Sequence, residues 1–185
     1  GPLRRAHGGG TFRAPAAYAT GLLSRAISIG YVNNAGKFDI APMGLSTAST
    51  LLGNGDGTFQ THKDSIFIGN TNMIVGDFNH DGNLDLATSN TMSVGTITLL
   101  KGRGDGSFDP QINISANSAP VYLADGDFNH DGYEDFAVAN SYAATSMSVI
   151  LNNGDGTYAL PHLYPIAQTG YEIEVADFNK DGFDD

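Results

Sequence analysis

Short apolar runs separated by polar, glycine-rich breaks recur along this chain, and their lengths suit strands rather than helices. In the stretch from 73 to 115 the pattern predicts four strands, at about 73–78, 84–89, 94–101 and 107–115. Thr96-Ile97-Thr98-Leu99-Leu100 and Ser148-Val149-Ile150-Leu151 are nearly continuous apolar runs, as strands covered on both faces are. Asp-Gly pairs flanked by such runs are strong hairpin signals. They stand in Gly55-Asp56-Gly57-Thr58-Phe59, Gly104-Asp105-Gly106-Ser107-Phe108 and Gly154-Asp155-Gly156-Thr157-Tyr158, with Gly8-Gly9-Gly10-Thr11-Phe12 a faded copy.

Each unit therefore reads as strand A, an acidic loop, strand B, a connection, strand C, the Gly-Asp-Gly turn and strand D. The chain holds a D strand near Gly8, three complete A-B-C-D units, and a last A strand over residues 171–178 with its loop. Four-stranded units of about 50 residues are the blades of a β-propeller. The predicted fold is all-β: a propeller segment over residues 8–185, with repeat boundaries near 55, 104 and 154, preceded at 1–7 by a linker or cloning remnant.

The acidic loop carries the chemistry. Asp77-Phe78-Asn79-His80-Asp81-Gly82-Asn83-Leu84-Asp85 recurs from Asp127 to Asp135 and from Asp177 to Asp185. Numbering each loop from its first Asp, positions 1, 3 and 5 supply side-chain oxygens, and a glycine at position 6 lets the backbone turn sharply around an ion. Position 7 can add a backbone carbonyl and position 9 another carboxylate. The expected ligand sets are Asp77, Asn79, Asp81, Asn83 and Asp85; Asp127, Asn129, Asp131, Tyr133 and Asp135; and Asp177, Asn179, Asp181, Phe183 and Asp185. About five protein oxygens plus water suit Ca²⁺, which takes six to eight at roughly 2.4 Å, better than the strict octahedron of Mg²⁺. Two firmly held Ca²⁺ are expected, and a third where Asp185 is ordered. The loop of the first unit has Tyr31 and Ala35 at positions 1 and 5, so it should turn without holding metal. An EF-hand is excluded, because position 12 is Thr88 or Val138 and the flanks read as strands.

Composition agrees with this account. The formal charge is -11, and three bound Ca²⁺ would bring it to -5, so the acidity is largely a cation requirement. Nine basic residues without a cluster argue against nucleic acid, and no apolar run reaches the ~20 residues of a membrane-spanning helix. The absence of Cys removes disulfides, thiolate metal sites and thiol catalysis. Abundant Ca²⁺ outside cells favours an exported protein. No nucleophile elbow, His-Glu-x-x-His or P-loop is present, so the chain reads as non-catalytic.

Taken together, Asp-Phe-Asn-x-Asp-Gly-x-x-Asp followed by an Asn-Gly-Asp-Gly-Thr-Phe type turn resembles the bacterial VCBS repeat, a relative of the FG-GAP repeats in the integrin α-chain propeller. That resemblance implies Ca²⁺ in the A-B loops and a role in adhesion or recognition; the alternatives are the propeller of a carbohydrate-active enzyme such as a polysaccharide lyase, or an architectural repeat of a large surface protein. Arg103-Gly104-Asp105 spells an attachment tripeptide, but its slot holds Asn54-Gly55-Asp56 and Asn153-Gly154-Asp155 in the other units, so it reads as a turn. Candidate residues for a protein or glycan ligand lie on the opposite face: Asn90, Asn140, Tyr142 and Tyr171. Bare end blades predict self-association or pairing with further blades of a longer chain.

Overall fold

The computed structural model describes residues 16–20, 24–44, 46–66, 71–91, 95–116, 119–141, 146–167 and 172–185. Its strands build three four-stranded antiparallel sheets, each a meander in sequence order. The first contains β1 (Ala26–Gly30), β2 (Asp39–Met43), β3 (Thr47–Thr50) and β4 (Lys63–Ile66). The second contains β5 (Met73–Gly76), β6 (Asp85–Asn90), β7 (Thr96–Leu100) and β8 (Ile112–Ser115), and the third β9 (Ala119–Gly126), β10 (Asp135–Ser141), β11 (Ser146–Ile150) and β12 (His162–Pro165). No helix occurs among the described residues. The first strands of successive sheets, β1, β5 and β9, neighbour one another, as the innermost strands around a propeller axis do.

The core lies between blades rather than within them. Ala41, Met43 and Ala48 of the first blade meet Met73, Leu86, Leu100 and Phe108 of the second. On the far side of the same sheet, Ala87, Ile97, Leu99 and Ile114 meet Leu123, Phe136, Val138 and Ile150 of the third. Consecutive residues of β6 thus serve opposite cores, and every position of that strand is buried. This two-sided cover explains the apolar runs without alternation. On the first blade Ile27, Ile29 and Phe38 are more than half exposed among the described residues.

Two expectations need correction. Strand D starts later than the turn suggests: Phe108 and Tyr158 each make only an isolated bridge, to Gly102 and Asn152, and β8 and β12 resume beyond Pro110 and Pro161. A proline offers no N–H to a ladder. The A strand expected over residues 171–178 makes no ladder at 172–178, and Tyr171 lies outside the described residues. A strand exists only against a partner's backbone, and here the pairing stops at one bond, Asp185 N–H to the Ala176 carbonyl at 3.1 Å. The alternation Glu172-Ile173-Glu174-Val175 still shows in burial, Ile173 and Val175 being half-buried while Glu172 and Glu174 are exposed. The D strand expected near Gly8 lies outside the described residues.

Both the A-B loops and the C-D turns emerge on one face. Gly30 to Asp39, Gly76 to Asp85 and Gly126 to Asp135 are equal in length, as are the stretches bridged by Gly53 and Phe59, Gly102 and Phe108, and Asn152 and Tyr158. On the other face the connections β2 to β3, β6 to β7 and β10 to β11 all differ in length.

Candidate metal-binding loops

The three acidic loops have one hydrogen-bonded shape. In the first, Asp77 accepts the Asp81 N–H on Oδ1 at 3.1 Å and the Gly82 N–H on Oδ2 at 2.9 Å. Asn79 Oδ1 accepts the same Asp81 N–H at 2.8 Å, and Asp81 Oδ1 accepts the Asn83 N–H at 2.8 Å. The corresponding bonds recur in the loop of Asp127, Asn129, Asp131 and Tyr133 and in that of Asp177, Asn179, Asp181 and Phe183. In the loop beginning at Tyr31, the matching bond is Ala35 N–H to Asn33 Oδ1 at 3.1 Å.

Position 9 has a second duty that the sequence reading missed. Asp39, Asp85 and Asp135, each fully buried, accept on Oδ1 the N–H of Gly53, Gly102 and Asn152, at 2.7, 2.7 and 2.8 Å. The carboxylate therefore tethers the acidic loop to the C-D turn of its own blade. This explains why the loop that has lost Asp at positions 1 and 5 keeps it at position 9. Asp185 is exposed and binds the Phe178 N–H on Oδ2 at 3.0 Å.

Asp85 Oδ2 is buried without a hydrogen-bond partner. Burial pushes the Asp85 carboxyl up to about 6, opposed by the Gly102 N–H and reinforced by the charges of Asp81 and Asp77. Burial likewise raises Asp135, with Asp131 and Asp127 adding repulsion. Among the described residues no group of three or more His, Asp or Glu side chains is gathered closely enough to hold a metal ion. The oxygens at positions 1, 3 and 5 instead accept backbone N–H groups. The donor set nevertheless fits a hard cation: it is all oxygen, each acceptor keeps a lone pair beyond the one it uses, and the orphaned Asp85 oxygen lacks a hydrogen-bond donor.

Position 4 falls between ligand positions, where a side chain is expected to face solvent, yet His80 and His130 pack on the next loop. The His80 ring stacks on Tyr133 at 4.6 Å between centroids, and His130 meets Phe183 edge-on at 4.0 Å. In the first loop Asn34 Nδ2 donates to Asn83 Oδ1 at 2.9 Å. Each contact runs from position 4 of one loop to position 7 of the next. All four position-4 residues adopt left-handed backbone: Asn34, His80, His130 and Lys180 have φ of 55°, 56°, 60° and 64°. Asn and His tolerate that region better than most residues, which was the readable signal. Position 7 also leans on the C-D turn of its own blade: a Cβ added at Gly154 would strike the Tyr133 ring, and one at Gly104 the Asn83 amide.

The ligand-face candidates are not brought together. Asn90, the last residue of β6, and Asn140, the last but one of β10, are 1% and 0% exposed, so both are buried rather than on an open surface. Asn140 Nδ2 is used internally, donating to Ser148 Oγ at 2.7 Å. Tyr142 and Tyr171 lie outside the described residues.

Arg103-Gly104-Asp105 behaves as a turn. Asp105 Oδ1 accepts from the N–H and Oγ of Ser107 at 2.8 and 2.6 Å, as Asp56 and Asp155 do from Thr58 and Thr157. These bonds hold all three carboxyls below the usual range. Arg103 Nε is engaged by Asp109 Oδ1 at 2.6 Å. Its counterparts Asn54 and Asn153 donate to Thr58 and Thr157 Oγ1 at 2.9 Å. Arg103→Asn should re-create that bond to Ser107 and leave the unfolding free energy from urea denaturation within about 0.5 kcal/mol of the parent; a loss well beyond that would show that the ion pair with Asp109 is structural.

The FG-GAP-like repeat family model matches residues 77–138 and 127–185, which together span more than half of the chain. Among solved structures, a chain of the Tc holotoxin pore of Photorhabdus luminescens is similar at 18% identity and a TM-score of 0.49. That match covers 77% of this chain and 7% of the toxin chain. No protein of curated function matches. Four-stranded blades, the thrice-repeated acidic loop and the family match together place the chain in the FG-GAP-like repeat family.

Proposed function

We propose that this chain is a Ca²⁺-stabilised, non-catalytic propeller module of an exported protein that serves adhesion or recognition of protein or glycan. The observation that carries the metal reading is Asp85: a buried carboxylate oxygen without a hydrogen-bond partner, at the end of a loop whose positions 1, 3 and 5 carry side-chain oxygens. Asp77, Asn79, Asp81, the Asn83 carbonyl and Asp85 would hold the ion, and Asp127, Asn129, Asp131, the Tyr133 carbonyl and Asp135 the next. The loop from Asp177 to Asp185 has the same donors. An ion there would supply positive charge, while the protein residues set its position and tie the loop to the C-D turn.

Recognition is assigned to the face opposite these loops. The metal face spends its polar side chains on its own backbone and keeps constant loop lengths, whereas the B-C connections vary, as binding loops do. The exposed Ile27, Ile29 and Phe38 support self-association or further blades as the cover of the first sheet.

Calorimetric titration with Ca²⁺ tests the metal reading. Heat of binding is expected at the loops, and Asp81→Ala should lower the stoichiometry by one ion. At 100-fold excess over Kd each ion adds ~2.7 kcal/mol, or about 5–10 °C in Tm for a chain of this size. EDTA should therefore lower Tm by that amount per filled loop. No heat, together with an EDTA-insensitive Tm, would overturn the reading.

A further inference from the structure

We propose that adjacent acidic loops bind their cations cooperatively, coupled through the contact between position 4 of one loop and position 7 of the next. This inference rests on the calcium reading above and concerns how its sites talk to each other. The contact occurs three times in register: Asn34 with Asn83, His80 with Tyr133, and His130 with Phe183. Position 4 lies between ligand positions 3 and 5, so its backbone sets how Asn79 and Asp81 are oriented. Its left-handed conformation is disfavoured for any residue bearing a Cβ and persists only when the surroundings hold it. The loop's own hydrogen bonds hold it at Lys180, which makes no such contact among the described residues; at Asn34, His80 and His130 the side chain at position 7 of the following loop adds a second support.

Position 7 supplies its backbone carbonyl to the following site, and its side chain is wedged. The Tyr133 ring lies between His80 of the preceding blade and Gly154 of its own. An ion in the loop from Asp127 to Asp135 fixes the Tyr133 backbone, hence its ring, hence the His80 backbone that shapes the loop from Asp77 to Asp85. Coupling of two binding equilibria is reciprocal, so filling the first loop must assist the second by the same factor. Side-chain substitutions at positions 4 and 7 remove no ligand, because neither side chain is one.

Two measurements on the full chain test this, with Ca²⁺ itself as the probe and Asp181→Ala silencing the last loop. In calorimetry, Tyr133→Ser should weaken binding at the loop from Asp77 to Asp85 about five- to tenfold. His80→Asn, which retains a residue tolerant of left-handed backbone, should weaken the loop from Asp127 to Asp135 by a similar factor. In nuclear magnetic resonance, with Asp81→Ala silencing the loop that contains His80, its ring signals should still move as the neighbouring loop fills. Normal uptake with unchanged affinities in both variants and unmoved His80 signals would overturn the coupling while leaving the calcium reading intact. No uptake by the parent chain would overturn both.

Discussion

Phe136→Ala is expected to cost about 3–5 kcal/mol, the range for removing a fully buried phenyl ring from a packed core. Phe136 is 0% exposed, lies 5.0 Å from the Phe78 ring edge-on, and stacks on Tyr158 at 5.4 Å. These rings join the second blade to the third, so the cavity would open within the core those two sheets share with Ile97, Leu99, Ile114, Val138 and Ile150. Against a typical total of about 5–15 kcal/mol, the variant should be marginally folded at room temperature. Urea denaturation reads the loss. Phe178→Ala is the control: that ring is 71% exposed, and its loss should stay within about 0.5 kcal/mol. Equal losses at the two positions would refute the interblade core.

Asp85→Asn is expected to change the pH dependence of the metal-free chain and to have the opposite effect once Ca²⁺ is added. Burial holds the Asp85 carboxyl up at about 6 against an ordinary 3.8. Between those pH values the folded chain holds a proton that the unfolded chain has released, so stability falls as pH rises through the window. The full loss, on the order of 3 kcal/mol, is reached above the folded pKa. Asn does not titrate, so in EDTA the variant should gain on the parent steadily from about pH 4 to 6. The depressed carboxyls of Asp56, Asp105 and Asp155 act with the opposite sign, but both chains share them and they cancel in the difference. With Ca²⁺ at neutral pH the order should reverse, because a cation favours the ionised carboxylate. Parallel pH curves in EDTA would show that Asp85 does not titrate in this range.

The blades were legible because the Asp-Gly turns and acidic loops recur with a fixed step, and such punctuation survives without knowledge of packing. The oxygen-bearing positions 1, 3 and 5 stood out for the same reason, and in the structure those oxygens accept backbone N–H groups of their own loop. Asn90 and Asn140 were misplaced because a strand covered on both faces shows no alternation, so a polar residue at its end reads as a connection. The contact of His80 with Tyr133 was hidden because it joins residues in successive repeats, and a repeat read as a unit says nothing about which of its side chains reach the neighbour. The tether from Asp85 to Gly102 was masked by a plausible single role for the carboxylate as a ligand.

That tether divides the blade into a face that accepts foreign sequence and one that refuses it. A residue inserted between Gly76 and Asp85, or between Gly102 and Phe108, would slide a buried carboxylate away from the one N–H that neutralises part of its cost. The connections β2 to β3, β6 to β7 and β10 to β11 already differ in length from blade to blade. Randomised peptides for a binding library therefore belong in those three connections, where a graft can grow without disturbing the stapled rim.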